Sequence, residues 1–178
     1  MAYRTLEIAQ LSAHKLKDVR LFGRMKVYVV VSLSDDPQPK KRTPTDRVGR
    51  ENPSWNSMTF QFNVPDDNPG RLTLRFLLRT ERSLGDRDVG EVNVPVKDLL
   101  RTGNGQMQSV SFQVYVPSYG ENQGVLKFSY KLGKRIAPPP TIPTTVVQET
   151  MVRTIAGYPY PTPANGYGYE AAPPPRKK

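Results

Sequence analysis

Few side chains in this sequence are equipped to make or break bonds, and those few are scattered. There is no cysteine and a single histidine, His14. That removes disulfides, thiol catalysis, thiolate metal sites and any multi-histidine cluster, and it is compatible with a reducing compartment. His14 has no partner at a useful spacing and reads as a surface residue. No glycine-rich phosphate loop of the Walker or dinucleotide type occurs, and no pair of acids stands in a recognisable catalytic motif, so no enzymatic activity is expected. The chemistry on offer is charge. Lys and Arg number 26 against 16 Asp and Glu, a net charge of +10, which suits a polyanionic partner. Two groups of cations stand out: Arg20, Arg24 and Lys26, and the run Lys40, Lys41 and Arg42. Each such cation near an anionic bilayer contributes roughly 1 kcal/mol, so four or five give salt-sensitive adsorption. A solvated basic face that keeps the chain soluble is the plainer alternative. Between Arg20 and Arg24 lies the apolar pair Leu21 and Phe22. Flanked by cations at a loop tip, such a pair suits insertion between lipid headgroups; it can equally pack beneath its own loop. Nucleic acid is not an expected partner, because the charge comes without interleaved aromatics in a recognisable binding motif.

The elements that must position these residues are strands. Leu6 and Ile8 alternate with polar neighbours, as do Val27, Val29, Val31 and Leu33. So do Met58, Phe60 and Phe62; then Leu72, Leu74, Phe76 and Leu78; then Val92, Val94 and Val96. Val110, Phe112, Val114 and Val116, and finally Leu126, Phe128, Tyr130 and Leu132, complete the series. Period two means one wet and one buried face. With a weaker, proline-interrupted edge segment over residues 40–47, about eight strands are predicted, separated by Gly, Pro, Asn and Asp turns, with no helix between them. The expected fold is all-β, an eight-stranded antiparallel β-sandwich. The longest apolar run, residues 27–31, is far below membrane-spanning length, and nothing at the N-terminus reads as a signal peptide. Any membrane contact is therefore expected to be peripheral, from the aqueous side.

Composition changes after Arg135, which sets a domain over 1–135 and a tail over 136–178. The tail holds ten prolines and four tyrosines, with few large aliphatics. It cannot bury enough apolar surface to offset its ordering entropy and is expected to be disordered, with polyproline II character at Pro138-Pro139-Pro140 and around Tyr158-Pro159-Tyr160-Pro161. Such a tail suits aromatic grooves on a partner protein, which is an expected partner class.

The segment Asn52-Pro53-Ser54-Trp55-Asn56, a turn feeding a strand, sits at a telling place. It follows Leu16-Lys17-Asp18-Val19 and the run from Phe22 to Leu33. It precedes Gly85-Asp86-Arg87-Asp88-Val89-Gly90 and Leu126-Lys127-Phe128-Ser129-Tyr130. In that order and spacing, residues 1–133 resemble the C2 domain, a lipid-binding β-sandwich, and are most similar to plant cold-regulated C2-domain proteins, which carry a Pro/Gly/Tyr-rich tail. The resemblance implies a cytoplasmic location, peripheral at the cytosolic face of a membrane, anionic phospholipid binding there, and a role in plant stress or defence. It also implies that lysines on the third and fourth strands hold lipid headgroups. Trp55 is expected to be a packing anchor.

The resemblance further implies a calcium site of about five loop carboxylates, because Ca²⁺ takes six to eight oxygens. Asp18 matches the first, Asp86 a later one, and Glu81 stands near another. Lys26, Arg79 and Arg87 fall where further carboxylates would be. Asp88 is close by, in a register that suits a strand start. A cation about 4 Å from Ca²⁺ costs roughly 8 kcal/mol at an effective dielectric of 20, though a lysine can swing away. No cofactor is expected to be required, and calcium binding at Asp18, Glu81 and Asp86 is expected to be weak or absent. A membrane-docking adaptor is the leading reading; a protein–protein adaptor acting through the tail, with no membrane role, is its rival.

Overall fold

The computed structural model describes residues 2–139. Eight strands form: β1 (Tyr3–His14), β2 (Val27–Leu33), β3 (Lys41–Arg42), β4 (Ser54–Pro65), β5 (Thr73–Thr80), β6 (Arg87–Pro95), β7 (Gln108–Val116) and β8 (Glu121–Ile136). Every pairing is antiparallel, in the order β3-β2-β5-β6-β7-β8-β1-β4. The two halves of this order are joined by a single register pair, Glu91 with Tyr115. Side chains from both halves meet in one core: Leu74, Phe76 and Leu78 from β5, Val92 and Val94 from β6, Phe128 and Tyr130 from β8, Phe60 and Phe62 from β4. The rings of Phe76 and Phe128 lie 4.7 Å apart at its centre. The expected all-β sandwich is the observed one. Among the described residues no helix is long and apolar enough to cross a membrane.

Two expectations need correction. Val96 does not continue β6. It begins a short helix, α1 (Val96–Thr102), which buries Val96 and Leu99 at helical spacing against the sandwich. Pro95 ends the strand and opens that turn, a place where a missing N–H costs nothing. The edge segment over 40–47 is a strand only at Lys41–Arg42, with an isolated bridge from Asp46 to Val27. Pro39 and Pro44 flank it and cannot donate to a ladder, which holds it to two residues.

Two strands are longer than their alternation suggests, because each slips phase. In β1 the buried set runs Leu6, Ile8, then Leu11 and Ala13, and Gln10 takes up the extra residue at φ 52°. A bulge of this kind moves all later side chains to the opposite face. In β4, Trp55 and Phe60 are both buried although five residues apart. β8 runs to Ile136, which pairs with Tyr3, one residue beyond the expected domain limit. The expectation of a disordered, proline-rich tail concerns residues that, from 140 onward, lie outside those described.

Candidate functional site: the loops at one end of the sandwich

Three connections gather at one end: β1–β2 (residues 15–26), β3–β4 (43–53) and β5–β6 (81–86). Backbone and side chain tie them together. Leu16 N–H donates to Glu51 O (3.0 Å) and Glu81 N–H to Lys26 O (2.9 Å). Arg87 Nη1 reaches across to Val19 O at 2.8 Å. Asn52, placed by the turn before Pro53, accepts Lys15 N–H on its side-chain oxygen. Buried Trp55 donates its indole N–H to Val27 O (3.3 Å), which makes it the packing anchor expected of it.

Asp46, which the sequence did not single out, organises the middle loop. Its carboxylate accepts N–H bonds from Val48, Gly49 and Ser54 at 2.8–2.9 Å. Burial works against the charged form, but these three donors outweigh it and hold the Asp46 pKa below the ordinary value. Gly49 is fixed by the same turn, because a Cβ there would meet Asp46 Oδ2 at 2.6 Å and Pro53 Cα at 2.7 Å.

The three carboxylates expected to approach calcium are not brought together as a ligand set. Asp18 is exposed and caps its own turn by accepting Arg20 N–H (3.0 Å). Glu81 is enclosed by Thr45 Oγ1 (2.6 Å), Arg47 Nη2 (2.9 Å) and Arg42 Nη2 (3.1 Å). The Thr45 hydroxyl first, then the two guanidinium charges, push its pKa down. Asp86 accepts the Tyr28 hydroxyl at 2.5 Å, and that bond lowers its pKa while burial and the same bond raise that of Tyr28. Arg79 binds Asp88 Oδ1 (2.7 Å) and Asp86 O (3.3 Å), and Asp88 lies in β6 as its register suggests. Among the described residues no three His, Cys, Asp or Glu side chains are grouped so as to hold a metal ion. This donor set does not fit a cation that takes six to eight oxygens.

The cations and apolar residues at the loop tips are arranged differently. Leu21 is 86% exposed and Phe22 88%, so neither packs under its loop. The sequence reading missed their counterpart: Leu84, 93% exposed at the tip of the β5–β6 loop. Together with Arg20, Lys26, Glu81, Arg82 and Ser83 these three line an open cleft of about 460 Å³. Val48, 83% exposed, tips the third loop. Nothing in the alternation pattern marks Leu84 or Val48, since both sit alone among polar and glycine residues. Arg20 stands out within the cleft: Nε and Nη2 are shielded from solvent and have no hydrogen-bond partner among the described residues. Arg24 and Lys26 are exposed.

The Lys40–Arg42 run is less free than expected. Lys40 is exposed, but Lys41 lies half-buried with its ammonium 5.5 Å from the Phe62 ring. Arg42 stacks 3.7 Å over the Tyr28 ring while pairing with Glu81. His14, as expected, is exposed, at the end of β1.

A C2 domain family model matches residues 4–115. The chain is 35% identical over 185 residues to Protein SRC2 homolog of Arabidopsis thaliana, covering 93% of this chain and 56% of that protein. It is 36% identical over 186 residues to Protein SRC2 of Glycine max, covering 99% and 63%. It thus spans less than two thirds of the length of these curated relatives. Among solved structures, the C2A domain of plant Extended Synaptotagmin 1 aligns with a TM-score of 0.62 at 20% identity, over 75% of this chain and 96% of that one. Human GIVD cytosolic phospholipase A2 aligns with a TM-score of 0.59 at 22% identity, over 73% of this chain and 16% of that one. These likenesses carry the fold, and the family match carries the membership: this chain belongs to the C2 domain family.

Proposed function

We propose that this C2 domain is a non-enzymatic module that docks peripherally, from the cytosolic side, on anionic phospholipid membranes in plant stress or defence signalling. The loop end meets the bilayer, and calcium is not required. The observation that carries this reading is the grouping of exposed Leu21, Phe22 and Leu84 around one cleft with Arg20, Lys26 and Arg82. Full burial of a Leu or Phe side chain yields about 1.5–3 kcal/mol, and partial insertion a share of that. Each nearby cation adds roughly 1 kcal/mol in low salt. Summed, these terms support adsorption that is reversible and salt-sensitive. The unpartnered Arg20 guanidinium supports the same reading, because a phosphate oxygen satisfies such donors through charge-assisted bonds. Calcium independence is supported by Glu81 and Asp86, whose carboxylates are already occupied by Arg42, Arg47, Thr45 and Tyr28.

Co-sedimentation with vesicles of phosphatidylcholine alone and with added phosphatidylserine tests this. Binding is expected only to the anionic vesicles, to fall with salt, and to be equal in calcium and in chelator. Replacing Leu21, Phe22 and Leu84 together by Ser should weaken it about tenfold or more, the equivalent of at least 1.4 kcal/mol. Equal binding to neutral vesicles, or a triple variant that binds as the parent does, would refute loop-first docking. Failure to bind any vesicle would leave the protein–protein adaptor as the better reading.

A further inference from the structure

The open seam between the two edge strands, β3 and β4, is a second feature that loop docking does not use. Lys41 and Arg42 on β3 and residues 58–61 on β4 border a cleft of about 580 Å³. One end of the β4 edge is already occupied, in an informative way. The Gln38 side-chain amide donates to Asn63 O (2.6 Å) and accepts Asn63 N–H (2.8 Å), so it binds that residue as a neighbouring strand would. Asn63 therefore directs its peptide groups away from β1. From Asn63 back to Thr59 the pairing with β1 is regular, Thr5 with Asn63, Glu7 with Gln61 and Ala9 with Thr59. In an antiparallel ladder, alternate residues share that orientation. Gln61 and Thr59 thus also point their N–H and C=O into the seam, and among the described residues these groups have no partner.

We propose that the β3–β4 seam accepts an extended acidic peptide from a partner protein, which adds as a short strand along Thr59–Gln61, continuing the pairing begun by Gln38. Unpaired edge groups supply the main-chain bonds of such strand addition. Lys41, facing the same cleft, selects a carboxylate side chain on the incoming segment, while Arg42 is already held by Glu81 and Tyr28. Charge excludes the chain's own tail as the natural occupant: residues 136–178 carry Arg153, Arg176, Lys177 and Lys178 against only Glu149 and Glu170. Thr59 and Gln61 do not line the loop cleft of Leu21, Phe22 and Leu84, so this inference does not rest on membrane docking.

Amide hydrogen exchange on the full chain, with a capped Glu-Val-Glu-Thr-Glu-Val-Glu peptide as probe, tests it. The Thr59 and Gln61 amides are expected to exchange fast alone and to slow severalfold with saturating peptide, and a peptide with Lys for Glu should have no effect. Gln61→Pro removes an outward N–H without touching the β1 ladder, so the fold should persist by circular dichroism and Trp55 fluorescence. Losing one such bond should weaken peptide binding about fivefold or more. Lys41→Gln supplies a second, charge-only variant and should weaken it as well. Unprotected amides at saturating peptide would overturn the proposal. So would Gln61→Pro binding as the parent does, since the seam would then be a simple anion site, a result that inositol hexakisphosphate should reproduce without protecting either amide.

Discussion

At the residue scale, the loop end is an electrostatic lattice closed on itself. Asp46, Glu81 and Asp86 each carry a lowered pKa, held by backbone N–H groups, by Thr45 with Arg47 and Arg42, and by Tyr28. A carboxylate whose folded-state pKa is depressed contributes stability that is fully present above its unfolded value, near pH 4, and is lost as pH falls through the folded value. The domain should therefore lose stability below about pH 4. Asp46→Asn, which replaces one acceptor oxygen by an amide NH2 donor, should cost about 1–2 kcal/mol at neutral pH in urea denaturation. The gap to the parent should narrow as pH drops below 4, and a constant gap would show that the Asp46 charge is not what the three N–H donors hold. Arg42→Gln tests how far that cation is held by the fold. As a free lipid-facing cation it would leave stability unchanged, but stacked on Tyr28 and paired with Glu81 it should cost about 1 kcal/mol when removed. Only packing could reveal this, since Arg42 meets its partners across 14 and 39 residues of sequence.

At the scale of elements, the joint between the two halves of the sandwich is the narrowest place in the fold. Gly90 on β6 lies so close to β7 that a Cβ would meet Val114 Cγ1 at 2.4 Å and Tyr115 O at 2.9 Å. Gly90→Ala should destabilise by about 1–3 kcal/mol through overpacking. An unchanged urea midpoint would show that the two halves can part there freely. The helix α1 was hidden from the sequence for a specific reason. Val94 and Val96 continue a period-two series, and only burial of Leu99 three residues on from Val96 marks the change to helical spacing. Leu99→Ala should cost about 2–4 kcal/mol in the same measurement, as for a filled core position, whereas a mere surface turn would tolerate it. The bulges in β1 and β4 escaped for a related reason, because a phase slip looks like the end of a strand when only alternation is read.

At the scale of the whole molecule, the described sandwich closes its own core, and β8 pairs Ile136 with Tyr3 at its far end. Residues 1–138 alone should therefore unfold in one cooperative urea transition with a β-type circular dichroism spectrum, and a molten or insoluble product would move the domain boundary. The sequence by itself determined the all-β class, the identity of most core residues, and the absence of thiol and multi-histidine chemistry. All of these follow from composition or from period-two burial, which are local properties. It was the tertiary structure that exposed Leu21 and Phe22 and set Leu84 beside them, enclosed Glu81 between two arginines, and left Thr59 and Gln61 facing an open seam. Those arrangements depend on which loops share an end and which strands are edges. Long-range pairing fixes both, and no local pattern records it.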